Sequence, residues 1–255
     1  MLSRLRYFIT SCITLLVHLK NPFSLITLPF TKKLALKNGI VLHFKEIIDV
    51  LIIKETILDD DYALMTLPSP NYILDVGAAI GDFSIFAGQL FPQATIIGFE
   101  PTPHTYALFK KNIAENLHNN ISAIHTAIGT QKEYTISISN HNVKSSAHTT
   151  TNSPKKQQTI TIPATPLDTF ITREVDLIKI DCEGAELDIL LSIRNESFAK
   201  IKNIVLEYHN HIVEDEDKKI CSILEPHNFT CRKVSINNPF VDTGYIYATN
   251  TSFIS

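Results

Sequence analysis

From residue 71 onward, short apolar runs alternate with stretches of helical spacing, and that alternation limits the fold more than any other feature of the chain. Strands are expected over 72–76, 94–99, 122–127, 176–182 and 204–208, with helices over 81–90, 104–117, 184–193 and 215–227. Two further strands, 229–236 and 244–249, have no helical pattern between them and should be antiparallel. The fold class expected is therefore α/β: a doubly wound, seven-stranded, mostly parallel sheet with an antiparallel last strand. With 255 residues, 44% of them hydrophobic and 19% charged, the chain can bury a core of that size.

Ahead of this lies an N-terminal extension, 1–70, expected to contain a helix, a hairpin and a second helix. Residues 32–44 alternate around Asn38-Gly39, a hairpin signal. Residues 45–62 place Ile47, Ile48, Leu51, Ile52 and Leu58 at helical spacing. Residues 7–19 are apolar but too few to span a bilayer, which takes about 20. No small-residue cleavage site follows them, so the reading is a helix packed on the domain or lying on a membrane surface through residues 1–20. Within the main domain, 71–255, the segment 131–165 breaks the rhythm: two period-two runs flank a polar stretch, giving a surface hairpin or a flap over the site.

The function signal starts at ILDVGAAIGDF, residues 73–83. A strand runs into Gly77 and Gly81 and then into a helix, so backbone N–H groups at the turn could meet an anionic group. The dinucleotide fingerprint G-x-G-x-x-G would need glycines at 77, 79 and 82, but Ala79 and Asp82 stand at the last two. One β-α-β step later IIGFE ends in Glu100, about where a carboxylate grips ribose hydroxyls. The net charge of −3 and the absence of an N/D-P-P-Y/F string after the fourth strand speak against a nucleic-acid substrate. Four scattered cysteines give no zinc or disulfide pattern and fit a reducing, cytoplasmic setting.

The strings ILDVGAAIGDFSIFAG, IIGFEPTPHTYALFKKNI, TPLDTF and VDLIKIDCEGAELDILL, in that order, resemble the FkbM family of S-adenosylmethionine-dependent methyltransferases. The resemblance implies a Rossmann-like class I fold, S-adenosyl-L-methionine as cofactor, and a hydroxyl on a sugar, glycan or small metabolite as acceptor. It implies that Asp75, Gly77, Ala78 and Gly81 hold the amino-acid end of the cofactor, Glu100 its ribose, and Pro101 the adenine side. Asp181 and Glu183 would lie near the transferring methyl.

Asp181 is the first candidate for a base that takes the hydroxyl proton, and His209 in LEYHNH the second. Lys179, Asp181 and Glu183 share one face if the strand period persists. The same residues admit a structural account, with Lys179 paired to Asp181 and Glu183 capping the next helix. Glu186 reads as structural, and His104 as a helix-start residue. Asp181, Glu207 and His209 could hold a divalent cation, but the reading assigns no metal. Two alternatives remain from sequence: an NAD-dependent oxidoreductase and a non-catalytic cofactor-binding protein.

Overall fold

The computed structural model describes residues 2–138, 143–145, 158–236 and 242–254. The extension opens with α1 (Leu2–His18) and α2 (Ser24–Thr31), then β1 (Lys33–Ala35), β2 (Val41–His43) and α3 (Ile47–Ile53). β1 and β2 pair antiparallel with Lys33 opposite His43, and Gly39 turns the hairpin at φ +97°.

The main domain follows: β3 (Tyr72–Val76), α4 (Asp82–Leu90), β4 (Thr95–Phe99), α5 (Pro103–Glu115), β5 (Ile121–Ile124) and β6 (Ala127–Ile128). Next come β7 (Glu133–Ile138), β8 (Val143–Ser145), β9 (Gln158–Thr165), β10 (Leu177–Ile180), α6 (Glu186–Leu191) and β11 (Asn203–His209). The chain ends with α7 (Glu216–Leu224), β12 (Phe229–Ser235) and β13 (Thr243–Asn250).

Seven strands form one sheet in the order β12-β13-β11-β10-β3-β4-β5. β13 inserts between β12 and β11 and runs antiparallel to both, while β10, β11, β3, β4 and β5 pair in parallel. Every residue of β3 and of β10 is buried, as expected of central strands covered on both faces. The strand order reverses at β3–β10, the place where open α/β sheets bind ligands.

Two apolar clusters cover the two faces. One joins Ile73, Phe83, Ile96 and Phe109 to Leu19, Leu34, Leu42 and Ile53, so the extension packs on the α4–α5 side. Asn112 on α5 fastens the hairpin to it, accepting from His43 N at 2.7 Å and donating to His43 O and to Ile80 O. The other cluster gathers Leu74, Ile178, Leu190, Leu206 and Ile220 under α6 and α7.

The helix after the hairpin differs from the sequence expectation in its buried face. Val50, Ile53 and Ile57 point inward, whereas Ile47, Ile48 and Ile52 are exposed. The cause is local: α3 begins at Ile47 behind Glu46 and Asp49, whose Oδ2 accepts from Glu46 N, and its continuation 54–59 is wound as a wider π-turn. Two other elements are shorter than expected, β10 ending at Ile180 and α6 spanning only Glu186–Leu191. In the interrupting segment β7 pairs antiparallel with β9, and β6 joins β9 in parallel. Most of the polar stretch expected to form the flap tip lies outside the described residues.

Candidate active site

The carboxyl ends of β3, β4, β10 and β11 meet at one edge of the sheet. In register, Lys179 on β10 sits beside Asp75 on β3, and this adjacency organises the glycine turn. Lys179 Nζ lies 3.3 Å from Asp75 Oδ1 and donates to Gly77 O at 2.8 Å. Asp75 Oδ2 accepts from Ser84 Oγ at 2.6 Å, and the Asp75 side chain has no exposed surface. The residue expected to touch the cofactor's amino-acid end therefore shapes the turn from beneath. Burial works against the charge of Lys179, but the neighbouring carboxylates, Asp75 first, outweigh it and hold the amine well above the ordinary lysine pKa. Lys179–Asp181, the pairing expected from sequence, is the looser contact at 4.0 Å.

Gly77 adopts φ +75°, and a Cβ there would fall 1.9 Å from Asp181 O. Gly81 adopts φ +86°, and a Cβ there would meet the Phe109 ring at 2.0 Å. The two glycines are thus required by the close approach of β10 and of α5. The N–H groups of the turn are mostly spoken for, contrary to expectation. Gly77 N and Ala78 N both donate to Phe99 O, Ala79 N donates to Glu100 Oε2, and Gly81 N to Ala78 O. Ala79 itself is held at φ +47°.

Glu100 closes this arrangement. Its Oε1 accepts from Thr102 N at 2.8 Å and Thr105 Oγ1 at 2.7 Å, while Oε2 accepts from Ala79 N at 3.0 Å. The carboxylate ties the glycine turn to the start of α5, where Pro103 and His104 occupy the first helical positions. Burial raises its pKa and these hydrogen bonds oppose the rise. With the Thr102 side chain as a further hydrogen-bond partner, the carboxylate is well satisfied within the protein. Pro101, half-buried beside it, accepts at its carbonyl from His125 Nε2 at 2.9 Å.

On the other side of the turn stands Asp181, partly open at the end of β10. Its Oδ2 accepts from Tyr62 O–H at 2.9 Å. Tyr62 comes from the extension and is wedged edge-on between Phe83 and Tyr245, each ring centroid 5.4 Å away. The sequence reading missed this residue: a tyrosine after three aspartates carries no signal of where the extension will fold. Tyr62→Phe is expected to lower turnover about three- to tenfold through poorer orientation of Asp181, with cofactor affinity unchanged; steady-state kinetics and calorimetry check both.

Glu183 does not share a strand face with Asp181, because the backbone turns through φ +53° at that residue, nor does it cap α6. Its exposed carboxylate lies 3.9 Å from His209 Nε2. The backbone clamp is instead Glu186, which accepts from Cys182 N at 2.8 Å. His209 is buried among carboxylates: Glu186 at 3.6 Å on Nδ1, Glu207 at 3.7 Å on Nε2, and Glu216, which accepts from His209 N at 2.6 Å. Burial works against the charge, but these acids win and push the imidazole up to about 10. His209 is therefore a cation at neutral pH and offsets the acids around it, which corrects its expectation as a base. Asp181, Glu207 and His209 bring donor atoms within 4.8 Å of one another, as do Glu186, His209 and Glu216. His211 stays at the surface, with Nδ1 3.4 Å from Asp242 O.

This cluster predicts a pH dependence of stability. His209 moves from 6.5 to about 10 on folding, and Glu207 and Glu216, raised chiefly by burial, move from 4.5 to about 8 and about 7. All three are raised, so the stability they contribute is full below the unfolded values and is lost as pH rises through the folded ones. Thermal melts should show Tm falling steadily from about pH 5 to about pH 10. His209→Gln should flatten the upper part of this fall, because it removes the group whose folded value lies near 10.

A methyltransferase FkbM domain matches residues 75–231, the span that carries the turn, Glu100, Asp181 and His209. This chain belongs to the FkbM methyltransferases. It is 29% identical over 179 residues to methyltransferase 1 of Beauveria bassiana, covering 60% of this chain and 71% of that one. It is 26% identical over 189 residues to methyltransferase sdnD of Sordaria araneosa, covering 61% and 73%. Among solved structures, a candidate rRNA methylase from Clostridium thermocellum superposes with TM-score 0.50 at 13% identity, covering 75% of this chain and 93% of that one, a likeness of fold alone. The FkbM enzyme has the Rossmann-like class I fold and uses S-adenosylmethionine, which sets aside the oxidoreductase alternative. Among the described residues no helix is long and apolar enough to cross a membrane.

Proposed function

We propose that this FkbM methyltransferase methylates a hydroxyl group on a sugar, a glycan or a small metabolite, with Asp181 taking the hydroxyl proton. The observation that carries the reading is the state of Asp181. One carboxylate oxygen is pinned by Tyr62, the side chain is partly open, and it stands at the strand end beside the glycine turn. When bound, S-adenosylmethionine supplies a methyl group already activated by its sulfonium, so the protein's task is alignment and proton removal.

Glu100, set against the turn by Ala79 N, receives a ribose hydroxyl, and the turn Gly77–Ala78–Gly81 lies under the amino-acid end, held in shape by Asp75 and Lys179. Pro101 borders the base. Asp181 orients the acceptor hydroxyl and accepts its proton on the oxygen that Tyr62 leaves open. Glu183 stands at the edge of the acceptor's place, and the buried His209 imidazole, between Glu183 and Glu207, offsets the acids around Asp181.

The test is mass spectrometry of hydroxyl-rich glycan and metabolite pools after incubation with enzyme and S-adenosylmethionine. A species heavier by one methyl group, absent when S-adenosylhomocysteine replaces the cofactor, is expected. Methylation restricted to amine-bearing compounds would contradict the reading.

A further inference from the structure

The first two helices of the extension carry outward apolar rows that remain exposed among the described residues. On α2 the row is Phe23, Ile26 and Phe30, 78%, 76% and 87% exposed. Their i, i+3, i+7 spacing makes one stripe, opposite the buried Leu28. On α1 the row is Ile9, Ile13, Leu16 and Val17, opposite the buried Leu15 and Leu19. The inner face of these helices packs on the core, and the outer face has no cover among the described residues.

Charge identifies the partner. Residues 1–45 contain seven lysines and arginines and no aspartate or glutamate, while the remaining residues carry sixteen cations against all twenty-six acids. The lysines collect where the two helices meet the hairpin. Lys20 stands at the α1–α2 corner and donates from its backbone to Ala35 O, and Lys37 donates from its backbone to His18 O. Both side chains are exposed and form no ion pair among the described residues. Lys32 and Lys33 follow α2 directly, although Lys33 also reaches Glu115 at 2.7 Å. Apolar side chains flanked by cations, with no acid in the segment, match a surface that is greasy beneath and negative on top. No described helix is long and apolar enough to cross a membrane.

We infer that α1 and α2 dock the enzyme on an anionic lipid bilayer, with Phe23, Ile26 and Phe30 entering the interface and Lys20 and Lys37 meeting the headgroups. A second copy of the chain is the competing occupant, and it fits less well because each copy would bring the same positive segment against the other.

The full chain is tested by flotation with phosphatidylcholine vesicles and with vesicles in which about a third of the lipid is phosphatidylglycerol. Partition onto the anionic vesicles should exceed that onto neutral ones by about tenfold or more and fall steeply with salt. The triple variant Phe23→Ser, Ile26→Ser, Phe30→Ser should lose about tenfold or more of that partition, as should Lys20→Glu with Lys37→Glu. Both should keep the wild-type melting temperature, since the replaced side chains are exposed. Absence of partition, equal partition on neutral vesicles, or unchanged partition of the triple variant would overturn the inference. So would sedimentation showing a dimer in the wild type that the triple variant makes monomeric.

Discussion

Asp181→Asn is expected to lower kcat by about a hundred- to ten-thousandfold, the range attached to losing a positioned base. The replacement keeps the shape of the side chain, and its amide oxygen can still accept from Tyr62. Neither Glu100 nor the glycine turn depends on the Asp181 carboxylate, so cofactor affinity should stay within about threefold by calorimetry. Lys179 retains Asp75 and Gly77 O as its closer partners, so the turn keeps its shape. A variant with near-normal kcat would remove Asp181 from the chemistry and leave it a neighbour of Lys179.

Glu100→Ala is expected to weaken S-adenosylmethionine binding by well over tenfold, and to cost stability even without cofactor. The second effect follows from the geometry. The carboxylate accepts from Ala79 N, Thr102 N and Thr105 Oγ1, and its removal leaves buried N–H groups unpaired at about 1–3 kcal/mol each. Thr105→Ala separates the two roles, because it removes one contact of the clamp and leaves the carboxylate. Its cofactor affinity should remain within about threefold of the wild type. If Thr105→Ala weakened binding as much as Glu100→Ala, the carboxylate would act only by tying the turn to α5.

The period of the apolar runs was enough to reveal the layers of this fold, because central strands such as β3 and β10 are buried along their whole length and cannot be mistaken for surface elements. The glycine turn and Glu100 were likewise legible, since their spacing is set by one β-α-β unit. What sequence could not supply was register and tertiary neighbourhood. Lys179 was read against Asp181, two residues away on its own strand, yet the lateral pairing of β10 with β3 gives it Asp75. His209 reads as a base from sequence because Asp181, Glu183 and Glu186 after β10, and Glu216 on α7, become its neighbours only on folding. Tyr62 was invisible for the same reason. The helical spacing of Ile47, Ile48 and Ile52 does not reveal that they face outward, because Val50 and Ile53 of the same helix are apolar too and periodicity alone cannot choose a face.

The position of the transferred methyl group tests the account most directly. With S-adenosylmethionine carrying a ¹³C-labelled methyl group and an acceptor found in the glycan or metabolite screen, the product's NMR spectrum reports the atom to which the label is bound. The account predicts a methyl ether on a former hydroxyl, formed by the wild type and nearly abolished in Asp181→Asn. A label on nitrogen, or an oxygen-bound label formed equally well by the variant, would contradict it.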